Sequence, residues 1–143
     1  MSQRPLHDGR RVTRRSIDDI LAEAQAQLDR VDPTSLTAEV AGGAVVIDIR
    51  PVEQRTRDGA MPTAIVIDRN VLEWRLDPAC EHHIPDIHDH DTRIVIVCNE
   101  GYQSSLAAAQ LRALGLTRAT DLRGGFQAWL ATLSATAGVD ETD

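Results

Sequence analysis

Short apolar runs alternate along this chain with stretches whose apolar positions recur every three or four residues. Ala44 to Arg50 and Ala64 to Ile67 are two such runs, and Ile94 to Val97 is a third, made wholly of β-branched residues. Each predicts a buried strand, and Ala119 to Leu122 predicts a last, shorter one. Helical spacing fills the intervals. Ile17, Ile20, Leu21, Ala24 and Leu28 share one face of a helix from Ser16 to Arg30, with Ser16 and Asp19 placed for a capping box. Leu36 to Ala41 forms a second helix, capped by Thr34 or Ser35 and closed by Gly42-Gly43. A short helix is expected over Glu53 to Asp58. A longer one, opened by Ser104 or Ser105, runs to Leu114, where Gly115 ends it. Another short helix covers Phe126 to Leu130. Residues 68–90 carry the weakest pattern; Leu72, Trp74 and Leu76 are expected as anchors there, and Pro78 and Pro85 exclude a long helix. Strand alternating with helix predicts an α/β domain: a mainly parallel sheet with helices on both faces.

Composition narrows the class without changing this picture. The chain has 143 residues, 42% hydrophobic and 26% charged, which suits one domain with a single core. A formal net charge of -7 disfavours nonspecific contact with nucleic acid or an anionic membrane. No apolar run approaches the ~18–20 residues of a membrane span. Two cysteines, Cys80 and Cys98, make no disulfide framework, so a cytoplasmic location with reduced thiols is the simplest expectation. Residues 1–15 hold five arginines and no apolar spacing, which predicts a flexible basic arm dispensable for folding. Residues 16–33 form an extra helix and linker, which either packs on the domain or makes a dimer or partner contact. Residues 134–143 are expected as a frayed acidic tail.

Candidate chemistry concentrates at the third strand. Ile94 to Val97 delivers Cys98 at the strand's carboxyl end, ahead of the polar loop Asn99-Glu100-Gly101-Tyr102-Gln103-Ser104 and an alanine-rich helix. Ligands of open parallel sheets sit beyond the carboxyl ends of the strands. Loop amides and the helix start supply partial positive charge around the sulfur, which favours thiolate over thiol. The alternative is a buried, inert cysteine. Its place at the lip of a strand, before a polar loop, argues for function.

With these residues in view, the stretch from about Thr34 to Leu133 resembles the rhodanese-like sulfurtransferase family. Asp48-Ile49-Arg50-Pro51 with Glu53 is similar to that family's first strand and the D-x-R turn that follows it. Gly59 to Ala64 resembles its G-H-I-P-G-A segment, with Ala60 in place of the His and Thr63 in place of the second Gly. Cys98 to Ser104 matches its active-site loop, and Leu114-Gly115-Leu116 and Gly124-Gly125-Phe126-Gln127-Ala128-Trp129 match its closing pattern. The resemblance implies a three-layer α/β/α domain over residues 34–133. It implies a sulfurtransferase in which Cys98 is the nucleophile and carries sulfane sulfur as a persulfide, while Asn99, Glu100, Gly101, Tyr102, Gln103 and Ser104 bind substrate. Gln103 and Ser104 are expected to donate through their side chains. The implied partners are a sulfur donor, thiosulfate or a persulfide, and a thiol, cyanide or protein acceptor, with no metal and no cofactor. This loop has no Arg or Lys and contains Glu100. Thiosulfate is therefore expected to be a poor donor unless Arg69, Arg75 or another cation reaches the mouth.

A noncatalytic module used for protein interaction or regulation is the alternative function; the presence of Cys98 weighs against it. A cysteine phosphatase shares the strand-Cys-loop-helix arrangement, but its C-x5-R arginine would fall at Ser104. Cys80, His82, His83, His88 and His90 form a Cys/His-rich patch whose plainer reading is a solvated loop without metal. Asp48 and Arg50 are expected to be structural rather than catalytic, and Trp74 and Trp129 to be core or loop anchors.

Overall fold

The structure, a computed structural model, describes residues 13–142. Most of the basic arm lies outside them. Of its last residues, Arg15 is tied to Glu23 by an ion pair.

Helix α1, Ile17–Ala26, starts as its sequence dictates. The Ser16 hydroxyl accepts from the Asp19 amide, and the Asp19 carboxylate accepts from the Ser16 amide, closing the capping box. It stops short of Arg30. Asp29 to Val31 is drawn into extended chain, because Val31 pairs in parallel with Leu122 and adds itself to the sheet edge. A 3-10 turn, Pro33–Ser35, leads into α2, Leu36–Ala41. Strand β1 is Val45–Asp48, α3 is Val52–Asp58, and β2 is the short Ile65–Val66. A second 3-10 turn, Arg69–Val71, precedes α4, Leu72–Leu76. Strand β3, Ile94–Val97, α5, Gln103–Ala113, β4, Ala119–Asp121, and α6, Gly125–Thr142, complete the order.

The four strands lie in the order β2-β1-β3-β4, every pair parallel, with Val45 opposite Ile94 and Asp48 opposite Val97. The continuous apolar run of β3 is explained by burial on both faces. Ile94 and Ile96, with Ile47 and Ile49, face a layer built by α4 and α5, where Leu72, Leu76, Ala107, Ala108 and Leu111 are buried. Val95 and Val97, with Val46, face the opposite layer, where Leu36, Leu122 and Phe126 are buried. The architecture is the three-layer α/β/α arrangement the pattern predicts. No helix among the described residues is long and apolar enough to cross a membrane.

Three expectations need correction. Helix α5 begins at Gln103, with Tyr102 at its cap, so neither Ser104 nor Ser105 caps it. Helix α6 does not end near Leu130 but continues to Thr142, across the stretch read as a frayed tail. Leu72 and Leu76 anchor their segment, but Trp74, two positions from each on a helix of five residues, is 58% exposed.

Candidate active site

Cys98 leaves β3 at its carboxyl end and is buried, 7% exposed. Its Sγ accepts two backbone N–H groups, from Gly101 at 3.1 Å and Ser104 at 3.3 Å. Gly101 turns the chain back toward the sulfur with a positive φ of 88°, a conformation that glycine adopts without a Cβ clash. A Cβ there would also stand 2.7 Å from the Gly124 nitrogen. Ser104 lies in the first turn of α5, so its amide is one of the helix's unpaired donors and adds the dipole's positive end. Two amides and a helix start aimed at one sulfur form a cradle for an anion.

The outer loop residues line a cavity of about 250 Å³: Cys98, Asn99, Glu100, Tyr102 and Gln103 on one side, Ile49, Arg50, Pro51 and Gln54 on the other. The two remaining predicted residues act from beneath it through their amides. Ser104 differs from expectation. Its hydroxyl turns inward and donates to Asp121 Oδ2 at 2.8 Å, so its backbone rather than its side chain faces the sulfur. Gln103 holds Arg69, whose Nε donates to Oε1 at 3.1 Å. Arg69 thus reaches the rim, with its charge paired to Glu73. Arg75 does not reach it and donates to the His82 carbonyl. Glu100 and Tyr102 are exposed at the mouth.

Several contacts of the site escape sequence reasoning. Phe126 donates its amide to the Cys98 carbonyl at 2.8 Å, and Gln127 donates its own to the Asn99 carbonyl at 3.1 Å. The start of α6 therefore holds the backbone from which the loop departs. The Gln127 side chain bridges Asn99 Oδ1 and Asp58, whose carboxyl is held below its usual range by hydrogen bonding from Arg57. Asp48 and Arg50 are both buried and joined by an ion pair of 2.8 Å. Arg50 also donates to the Gly59 carbonyl and lays its guanidinium 3.7 Å over the Phe126 ring. The family-like spacing pointed to the glycine pair at 124 and 125 and to Asp48 and Arg50, but not to what they touch.

A larger cleft, about 550 Å³, opens at the other end of the sheet between Asp29, Glu39, Arg93, Arg112 and Arg118. Arg93 and Arg112 are paired there with Asp29 and Glu39, and its lining holds no cysteine or histidine. Among the described residues no three His, Cys, Asp or Glu side chains come together as a metal-binding group, and the His83 ring contacts the Cys80 carbonyl.

The chain is 31% identical over 113 residues to thiosulfate sulfurtransferase GlpE of Pseudomonas fluorescens, covering 77% of this chain and 92% of that protein. It is 34% identical over 85 residues to the adenylyltransferase and sulfurtransferase UBA4 of Candida albicans, covering 59% of this chain but only 19% of that much longer protein. Among solved structures it is similar to a Rhodopseudomonas palustris protein of unknown function, described as a possible tyrosine phosphatase. That likeness has a TM-score of 0.74 at 28% identity and covers 86% of this chain and 95% of that one. The rhodanese-like domain model matches residues 32–132, and the chain belongs to that family.

Proposed function

We propose that this protein is a sulfurtransferase that carries sulfane sulfur as a persulfide on Cys98 and passes it to a thiol, cyanide or protein acceptor. The observation that carries the reading is the pair of amides, from Gly101 and Ser104, converging on a thiol at the floor of an open cavity. The Cys98 thiolate attacks the outer sulfur of a donor R–S–SH. A new S–S bond forms at Sγ as the donor's own S–S bond breaks, and the electron pair leaves with the donor thiolate. The amides that held the thiolate then face the persulfide anion. In the second half the acceptor thiolate takes the outer sulfur, and Cys98 regains its electron pair.

The charge around the cavity favours a persulfide over thiosulfate as donor. Arg50 lines the wall, but Asp48 neutralises it, and Glu100 stands at the mouth. A dianion gains little there. The phosphatase reading has no support in this loop, because the position of its arginine clamp is Ser104, whose hydroxyl is committed to Asp121.

Intact-mass spectrometry after incubation with glutathione persulfide tests the proposal. One added sulfur on Cys98, removed by cyanide or dithiothreitol, is the expected result. A protein that takes up no labile sulfur from persulfide, thiosulfate or a cysteine desulfurase is a binding module, and the proposal then fails.

A further inference from the structure

Arg30 lies outside the span matched by the rhodanese-like domain model, in the segment between α1 and the domain proper. Its guanidinium nevertheless reaches the loop that holds Cys98. Nε donates to Asp121 Oδ1 at 2.9 Å, and Nη2 donates both to Asp121 Oδ2 at 3.2 Å and to the Gly101 carbonyl at 2.9 Å. The Arg30 side chain is 10% exposed and that of Asp121 is fully buried. The bridge of Val31 to the sheet edge delivers it there: Val31 donates to the Asp121 carbonyl at 2.9 Å, and Arg123 donates to the Val31 carbonyl at 2.8 Å.

Asp121 gathers the other half of the cradle. Ser104 Oγ donates to Oδ2 at 2.8 Å and Ser105 Oγ at 2.7 Å. Ser105, with a single hydroxyl proton given to the carboxylate, accepts from the Gln25 side chain of α1 at 3.3 Å. Each of the two residues whose amides face the Cys98 sulfur is therefore tied to one buried ion pair. Gly101 is held through its carbonyl by Arg30, and Ser104 through its hydroxyl by Asp121. A charge-assisted, bidentate pair fixes geometry more firmly than neutral hydrogen bonds do. It also places a cation next to the loop that must stabilise an anionic sulfur.

We propose that Arg30 is a positioning residue for the Cys98 sulfur: paired with Asp121, it clamps the Gly101 carbonyl so that the Gly101 and Ser104 amides stay aimed at the thiolate or persulfide. The N-terminal extension is thereby part of the active site rather than an appendage. The assignment rests on Cys98 as the sulfur carrier.

The test reads the thiol itself, so that it stands apart from sulfur transfer. Iodoacetamide alkylation of Cys98 is followed against pH in a Cys80→Ser background. Arg30→Met should move the midpoint of the profile upward by about one pH unit and slow alkylation at neutral pH about tenfold. Arg30→Lys, which keeps the cation but loses the fork, should recover part of the shift. Arg30→Met leaves Asp121 as an unpaired buried charge and risks misfolding. Arg30→Met/Asp121→Asn removes both charges together and should show the same upward shift. A wild-type profile in the folded double variant, or in Arg30→Met, overturns the proposal. A parent protein that alkylates as described yet accepts no sulfane sulfur overturns the function and not the clamp.

Discussion

The Gly125 backbone lies directly against the Cys98 carbonyl: a Cβ on Gly125 would stand 2.5 Å from that oxygen and 2.7 Å from the carbonyl carbon of Asn99. Helix α6 starts at this point, and Phe126 donates its amide to the same carbonyl. The approach is possible only without a side chain, and the φ of 64° at Gly125 adds a second reason for glycine.

Gly125→Ala should therefore damage stability and site together. Backbone on backbone has no flexible end to move, so the clash and the left-handed φ should cost at least about 2 kcal/mol. Gly43, also left-handed at 104° but with nothing within 4 Å of its Cβ position, is the control. Gly43→Ala should cost only the conformational strain, about 1 kcal/mol, and leave sulfur transfer unchanged. Urea denaturation together with transfer to cyanide separates the two.

Cys98→Ser should abolish sulfur transfer while changing stability by less than about 1 kcal/mol, because a hydroxyl oxygen still accepts from the Gly101 and Ser104 amides. Cys80→Ser should leave transfer intact, since Cys80 sits beyond α4, away from the cavity. Steady-state transfer and intact mass on both variants check this; retained transfer in Cys98→Ser removes the site assignment.

Glu100→Arg should raise kcat/KM for thiosulfate about tenfold at low ionic strength, with the gain shrinking as salt is added. The side chain is exposed at the mouth, so the substitution changes the local charge without disturbing packing. A persulfide donor without carboxylates should respond less. Equal gains for both donors would show that charge is not what limits thiosulfate.

At the opposite end of the sheet, Asp29 is expected to make stability depend on acid pH. Partial burial pushes its carboxyl up, but hydrogen bonding and charge from Arg93, with Arg112 beside it, outweigh this and hold it below the ordinary value of 3.8. A depressed folded value means the contribution is complete above the unfolded value and is lost as pH falls through the folded one. Asp29→Asn should destabilise at pH 7 by less than about 1 kcal/mol, because the carboxylate is largely solvent-screened. The difference should shrink as pH falls through the lowered folded value of the carboxyl. Thermal melts of both proteins across that range give the comparison.

Much of this molecule is legible in its sequence, because local pattern carries burial. Ile94 to Val97 is apolar at every position, which only a strand covered on both faces explains, and such a strand places Cys98 at a sheet's carboxyl edge. Ser16 and Asp19 fix where α1 starts, and Gly42 and Gly59 fix where α2 and α3 stop. The loop that follows Cys98 is read from adjacent residues alone.

Tertiary structure decided what that loop rests on. Arg30 and Asp121 are 91 positions apart, and Arg30 and Gly101 are 71 apart. No periodicity links them. They meet because Val31 pairs with the edge of the sheet, and a parallel pairing of this kind leaves no turn signal in the sequence. Ser104 offered a hydroxyl that the sequence aimed at substrate, and the fold turned it to a buried carboxylate because an ionised Asp121 in the core must be surrounded by donors. Trp74 was an anchor by composition and an exposed ring by geometry, since only the Leu72 and Leu76 face of its helix meets the core. Sequence specified the cysteine and the sheet that presents it; the long-range contacts specified the charges and amides that hold it, because those depend on which distant segments become neighbours.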